Sequence, residues 1–279
     1  MNKTILNSKE SLLLENLIVN YGQVVSSEQI FDKATGLWDH GQTKNTIVKL
    51  RKNGWLVRIK KGLYVISDFG NRGFLSISPY LVANLLVPES YVSFWSAMQH
   101  HGMFDQLTDK TTSVSMKAYK TVKLNNMEYQ FIKTQKKNYF GWQEFDIDGG
   151  KTRIATAEKA LIDIVNFHRN KYSIDLVIEK IREHNKSLNF ARLNKYLDNS
   201  SIATMKIFGF ILDLIGIDSS GLHKRISAKK STHWMFKDSD RFSSKWRLYY
   251  DKYFDKYLTG LQGSSWKLST EKHCNILCI

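Results

Sequence analysis

Between Ser8 and Ile66 the chain is cut by glycine at positions 22, 36, 54 and 62, and these stops leave room only for short elements. Ser8 is a good N-cap, and Leu12, Leu13, Leu17 and Ile18 recur at helical spacing until Gly22. Ser26 or Ser27 caps a second short helix that holds Ile30 and Phe31 and ends at Gly36. A third helix is predicted over QTKNTIVKLRKN, residues 42–53, where Ile47 and Leu50 give a narrow apolar face. Gly54 ends it, and WLVRIKKGLYVI then reads as two short strands, Trp55–Ile59 and Leu63–Ile66, around Lys60, Lys61 and Gly62. Trp55 and Tyr64 fall at strand positions that must pack on the helices, so both are expected in the core.

Three short helices followed by a basic hairpin is the plan of a winged helix-turn-helix domain, assigned to residues 1–68. In that plan the third helix enters the major groove of duplex DNA and the hairpin lies along the backbone. Gln42, Thr43, Lys44 and Asn45 open the third helix and are expected to reach base edges, where amide and hydroxyl groups discriminate base pairs. Lys49 and Lys52 on its outer face, with Arg58, Lys60 and Lys61 on the hairpin, are expected to neutralise phosphates. From Trp38 to Gly62 seven basic residues stand against Asp39 alone. A single basic helix is usually a solvated face; the order helix, helix, basic helix, basic hairpin favours DNA.

The balance of the whole chain points the same way. Over 279 residues, a length that suggests about two domains, 41 Lys and Arg outnumber 26 Asp and Glu, for a formal charge of +15. A fold does not require that excess. It favours polyanionic partners, nucleic acid first and an anionic membrane surface second. The only cysteines are Cys274 and Cys278, which with His273 make neither a disulfide framework nor a convincing zinc site. The N-terminal apolar run is broken by Glu15 and Asn16, so it is not a signal peptide, and no stretch approaches the roughly 18–20 apolar residues of a membrane span. A cytoplasmic protein with no cofactor, no metal and no membrane partner is expected.

Past a linker, FGNRGF at 69–74, the chain reads as an α+β fold: a larger mixed α/β C-terminal domain over residues 74–258, then a tail, 259–279, of unknown role. Pro79 opens a helix to about Leu86, and Ser93 caps another through His100. Alternating runs at Thr112–Met116, Met127–Ile132, Glu144–Ile147 and Lys151–Ile154 read as strands, with Asn125-Asn126 and Gly149-Gly150 between runs as hairpin turns. Thr156 caps AEKALIDIVNF; further helices are expected at Ile174–Glu183, Phe190–Leu197 and Ile202–Ile215. Trp246–Tyr250 is expected to return to the same sheet.

No catalytic constellation stands out. His100 and His101 are neighbours on a helix and do not face one another, so a structural role is favoured. Glu158 and Asp163 are about 140° apart on one helix, which argues against a shared site and for anchoring a buried basic group. No phosphate loop, nucleophile elbow or H-E-x-x-H occurs, so no enzyme is expected. A second basic area runs from His223 to Lys256, with ten bases, among them Lys224, Arg225, Lys229, Lys230, Arg241, Lys245 and Arg247, against four acids. Trp234, Phe236, Trp246, Tyr249 and Tyr250 are interleaved. The pattern serves equally as a stacking platform for RNA or single-stranded DNA and as core aromatics beside a solvated surface.

Three segments carry a family likeness. GWLVRIKKGLYVI (54–66) is followed by SPYLVANLLVPESYVSFWSAMQHHGMFDQ (78–106) and then by ATAEKALIDIV (155–165). Together they resemble the AbiEi family, the antitoxins of type IV toxin–antitoxin, or abortive-infection, systems. Tyr91, Val92, Ser93, Ser96, Ala97, His101 and Gly102 match the family's first internal motif, and Thr156, Glu158, Lys159, Ala160 and Asp163 its second. The likeness spans roughly residues 8–255, and residues 259–279 have no counterpart in it. It implies a repressor that binds inverted repeats in its own promoter, with a C-terminal domain that counteracts a nucleotidyltransferase-type toxin without needing to contact it. The alternative is a winged-helix transcription factor whose C-terminal domain binds or acts on RNA or nucleotides.

Overall fold

The computed structural model describes residues 5–106 and 108–258. The expected tail at 259–279, with Cys274, Cys278 and His273, lies outside the described residues. The chain is α+β and divides into two compact units. One takes residues up to 96 together with 106–154; the other takes 97–105 and the chain from 155 onward. The expected boundary at 69–73 falls inside the first unit.

The first unit begins with α1 (Ser8–Tyr21), β1 (Val24–Ser26), α2 (Ser27–Ala34), α3 (His40–Lys52), β2 (Leu56–Lys60) and β3 (Leu63–Ile66). All three helices start with the same device. Asn7 and Glu10, Ser26 and Gln29, and Asp39 and Gln42 each form a capping box, in which one side chain accepts the N–H of the other residue. The cap of α1 is therefore Asn7, one residue earlier than expected. The strands form an antiparallel sheet in the order β1-β3-β2. β1 is only three residues long and carries no alternating pattern, so it has no signature in the sequence. The β2–β3 turn needs a left-handed residue, and Gly62 supplies it at φ 77°. Leu13, Leu17, Val25 and Ile30 are fully buried and pack with Leu50, Trp55, Tyr64 and Ile66 in one core cluster. Trp55 and Tyr64 are thus interior groups.

The chain continues with α4 (Pro79–Leu86), β4 (Ser90–Val92), α5 (Phe94–His100), β5 (Lys110–Ser115), β6 (Val122–Leu124), β7 (Met127–Lys133), β8 (Trp142–Ile147) and β9 (Gly150–Ala155), of which α5 is divided between the units after Ser96. These strands build a six-stranded sheet in the order β6-β7-β5-β4-β9-β8. It is mixed: β5 runs antiparallel to β4 and parallel to β7. The β8–β9 connection is Asp148-Gly149, one residue earlier than expected, and both have positive φ, 49° and 73°. Gly150 already belongs to the strand.

The second unit holds α6 (Ala157–Phe167), α7 (Lys171–Glu183), α8 (Phe190–Leu197), α9 (Ile202–Leu214) and α10 (Ser220–Ile226), then β10 (His233–Trp234), β11 (Arg241–Ser243) and β12 (Leu248–Tyr250). The expectation that Trp246–Tyr250 rejoins the larger sheet is corrected. β12 instead sits at the centre of a separate sheet, β10-β12-β11. Its partners come from residues 233–243, and pairing so near in sequence closes shorter loops at lower entropic cost. Trp246, 1% exposed, packs closely on α9 because position 209 is glycine: a Cβ there would collide with the indole. The indole N–H donates to Asp213 Oδ2 at 2.6 Å. Glu158 takes a two-pronged bond from Arg192 at 2.8 and 3.0 Å, joining α6 to α8. On α6 itself, Lys159 and Asp163 form a fully buried ion pair one turn apart. Among the described residues no helix is long and apolar enough to cross a membrane.

Candidate nucleic-acid interface

α3 is held by its apolar edge, and that decides which of its side chains face water. Thr43, Ile47 and Leu50 point inward; Gln42, Lys44, Asn45, Lys49 and Lys52 are exposed. Thr43 is 2% exposed and its hydroxyl donates to Asp39 O at 2.8 Å, the usual back-bond of a helical threonine. It is an interior group, which corrects the expectation that it reaches a base edge. The signal was present in the sequence: Thr43, Ile47 and Leu50 stand at i, i+4 and i+7, a single helical stripe. Gln42 is exposed, but its side chain accepts from Asp39 N at 3.2 Å within the capping box.

Lys49 has a different job from its neighbours. Its Nζ lies 2.6 Å from Oε1 of Glu10 on α1, and that carboxylate is buried while the lysine side chain is half exposed. The pair ties α3 to α1. Lys44, Arg51, Lys52, Lys60 and Lys61 are exposed with no ion pair among the described residues. Arg58 on β2 is exposed too, its Nε donating to Lys60 O at 3.3 Å. A groove of about 410 Å³ runs between α3 and β2, lined by Val48, Arg51, Lys52, Leu56, Val57 and Arg58. Arg51, counted in the local charge but not assigned to the interface from sequence, is thus placed in this groove with Lys52 and Arg58. With three cations and no acid in its lining, the groove can neutralise a run of phosphates.

The second basic area splits. Arg225 pairs with Asp198 at 3.2 Å, Arg241 with Asp255 at 3.6 Å and Lys245 with Asp213 at 2.8 Å, so these three serve the fold's own electrostatics. Lys224, Lys229 and Lys230 are exposed without an ion pair among the described residues, and Arg247 reaches only Thr232 Oγ1, at 3.4 Å. The aromatics split as well. Trp246 and Tyr250 are buried, while Trp234 is 52% exposed. Phe242, which sequence reasoning passed over, is 47% exposed.

The histidine pair is ordinary in its surroundings. His101 Nε2 lies 2.7 Å from Ala155 O, and burial, followed by the proximity of His101, holds the His100 imidazole below the usual histidine range. Among the described residues no three His, Cys, Asp or Glu side chains converge as metal ligands would.

No family model and no curated protein matches the chain. Among solved structures it is similar to the crystal structure of the RV2827C protein from Mycobacterium tuberculosis, with a TM-score of 0.65 at 14% identity, covering 92% of this chain and 96% of that one. At that identity the likeness is one of fold.

Proposed function

We propose that this chain is a bacterial transcriptional repressor of the AbiEi antitoxin type, in which α1–α3 and the β1-β3-β2 sheet form a winged helix-turn-helix. The observation that carries this reading is the groove that sets Arg51 and Lys52, at the C-terminal end of α3, opposite Arg58 of β2, on a helix whose start exposes Gln42, Lys44 and Asn45. α3 lies in the major groove with Lys44 and Asn45 toward base edges and Gln42 at the rim. The β2–β3 hairpin follows the backbone through Arg58, Lys60 and Lys61. Thr43 and Lys49 take no part in DNA binding, because one is buried and the other is held by Glu10. The ligand is duplex promoter DNA containing inverted repeats. The repressor works in the cytoplasm, carries no catalytic centre, and counteracts a nucleotidyltransferase toxin encoded beside it without needing to bind that toxin.

A transcriptional reporter driven by the chain's own upstream region tests the proposal. Expression of the chain lowers reporter output, and replacing Lys44 and Asn45 together by Ala restores it while the protein remains folded. Output that is the same with and without the chain contradicts the proposal.

A further inference from the structure

The small sheet of the second unit presents a row of rings to solvent. Trp234 on β10 and Phe242 on β11 both pair in register with Tyr249 on β12. The Trp234 and Tyr249 rings stack with centroids 4.9 Å apart and planes 13° apart, and Phe242 lies 4.9 Å from the other side of Tyr249. The opposite face of the sheet fills the interior with Leu248 and Tyr250, the latter against Phe210. The outward row is therefore not needed to close the core, and two of its three rings are about half exposed.

Where β10 and β12 begin, the sheet borders a pocket of about 200 Å³ whose lining includes Lys206, His223, Lys229, Lys245 and Arg247 and no acidic side chain. Lys245 is neutralised by Asp213. The other two lysines and Arg247 have no carboxylate within 4 Å among the described residues. Lys206 is 2% exposed, and among the described residues its ammonium donates only to Ser231 O. A buried ammonium with no counter-charge is costly, and the cost falls when an anion enters. The excess field is felt locally. Burial and then Arg247 hold the Lys206 ammonium below its usual range, while burial and then Lys206 and Arg169 do the same to His233. Pocket and ring row are joined through the backbone: Arg247 O accepts from His233 N at 3.1 Å, one residue before Trp234.

We infer that this surface binds single-stranded RNA, with bases on the Trp234–Tyr249–Phe242 row and a backbone phosphate in the pocket of Lys206, Lys229 and Arg247. Flat rings accept the faces of unpaired bases, and flanking cations hold the backbone. Duplex DNA hides its base faces in the stack, and unpaired strands are where RNA is recognised. Its residues are separate from those proposed to hold duplex DNA on α3 and the β2–β3 hairpin.

The test uses the full chain and three fluorescein-labelled probes followed by anisotropy: a twelve-residue oligouridylate, an oligodeoxythymidylate of equal length, and a random duplex. The RNA binds more tightly than the single-stranded DNA. Trp234→Ala and Phe242→Ala, both at exposed positions, each weaken the RNA about ten-fold. Lys229→Ala with Arg247→Asn reduces the salt slope for RNA by about 0.7 for each phosphate no longer neutralised; Asn is chosen because position 247 has φ 47°. Lys60→Ala with Lys61→Ala leaves RNA affinity within two-fold. The inference is overturned if the chain does not bind the RNA, if the aromatic variants bind it like the wild type, or if the DNA strand binds as well or better. A dimer that Trp234→Ala dissociates, without RNA binding, would give the face to a second copy and overturn it as well.

Discussion

Lys49 illustrates how a basic residue on a proposed DNA-binding surface can belong to the fold. Its ammonium neutralises a carboxylate, Glu10, that is buried and also closes the capping box of α1. Removing the lysine leaves that carboxylate without its counter-charge. Because the lysine is itself half exposed, water relieves part of the cost, and Lys49→Met is expected to lower stability by about 1–2 kcal/mol in urea unfolding. DNA binding by the folded variant keeps its salt slope. A slope lowered by about one with stability intact would make Lys49 a phosphate-binding residue instead. Sequence alone could not separate Lys49 from Lys44 or Lys52, since all three face outward and Glu10 lies 39 positions away. Thr43 was different, because its helical phase with Ile47 and Leu50 already marked it as interior. Lys206 lay between the two: a lone lysine in the apolar run IATMKIFGFIL invites attention, but only packing shows that no acid among the described residues answers it.

Elements with their own local signals were legible, and those defined by distant partners were not. The N-caps of α2 and α6, the third helix, the β2–β3 hairpin, and α8 at Phe190–Leu197 follow from capping residues, apolar phase and glycine stops. β1, β4 and β6 are three residues each and exist because a neighbouring strand pairs with them. The α6–α8 link rests on Glu158, whose role as an anchor for a basic group follows from its place on the helix, although its partner, Arg192, does not. Burial works against the Glu158 charge, but the bonds from Arg192 and from Asn189 N–H outweigh it and hold the carboxyl below the usual glutamate range. A carboxyl whose folded value is depressed gives stability that is present above its unfolded value, about 4.3, and is lost as pH falls through the folded value. Acidification from pH 6 to 3 should therefore weaken the wild type more steeply than Glu158→Gln, whose starting stability is lower. Denaturant melts across that range check it, and equal slopes would show that Glu158 gains nothing from its charge.

At the scale of the molecule, positive charge gathers in two places. The segments Trp38–Gly62 and His223–Lys256 each carry six more bases than acids, while residues 71–222 between them carry 19 bases and 15 acids. One segment supplies the α3 and hairpin surface of the first unit and the other surrounds the small sheet of the second. The likeness in fold to the M. tuberculosis protein includes residues of both units. One titration decides whether the first unit reads duplex DNA with α3 and holds it with the hairpin. The chain is bound to its own upstream DNA and to random duplex of equal length across a salt series, as wild type, as Asn45→Ala, and as Lys60→Ala with Lys61→Ala. The wild type should prefer its own DNA, and Asn45→Ala should reduce that preference by about 1–3 kcal/mol. The lysine pair should weaken both DNAs alike and lower the salt slope by about two. A lysine variant that changes sequence preference, beside an Asn45 variant that leaves it intact, would contradict the assignment.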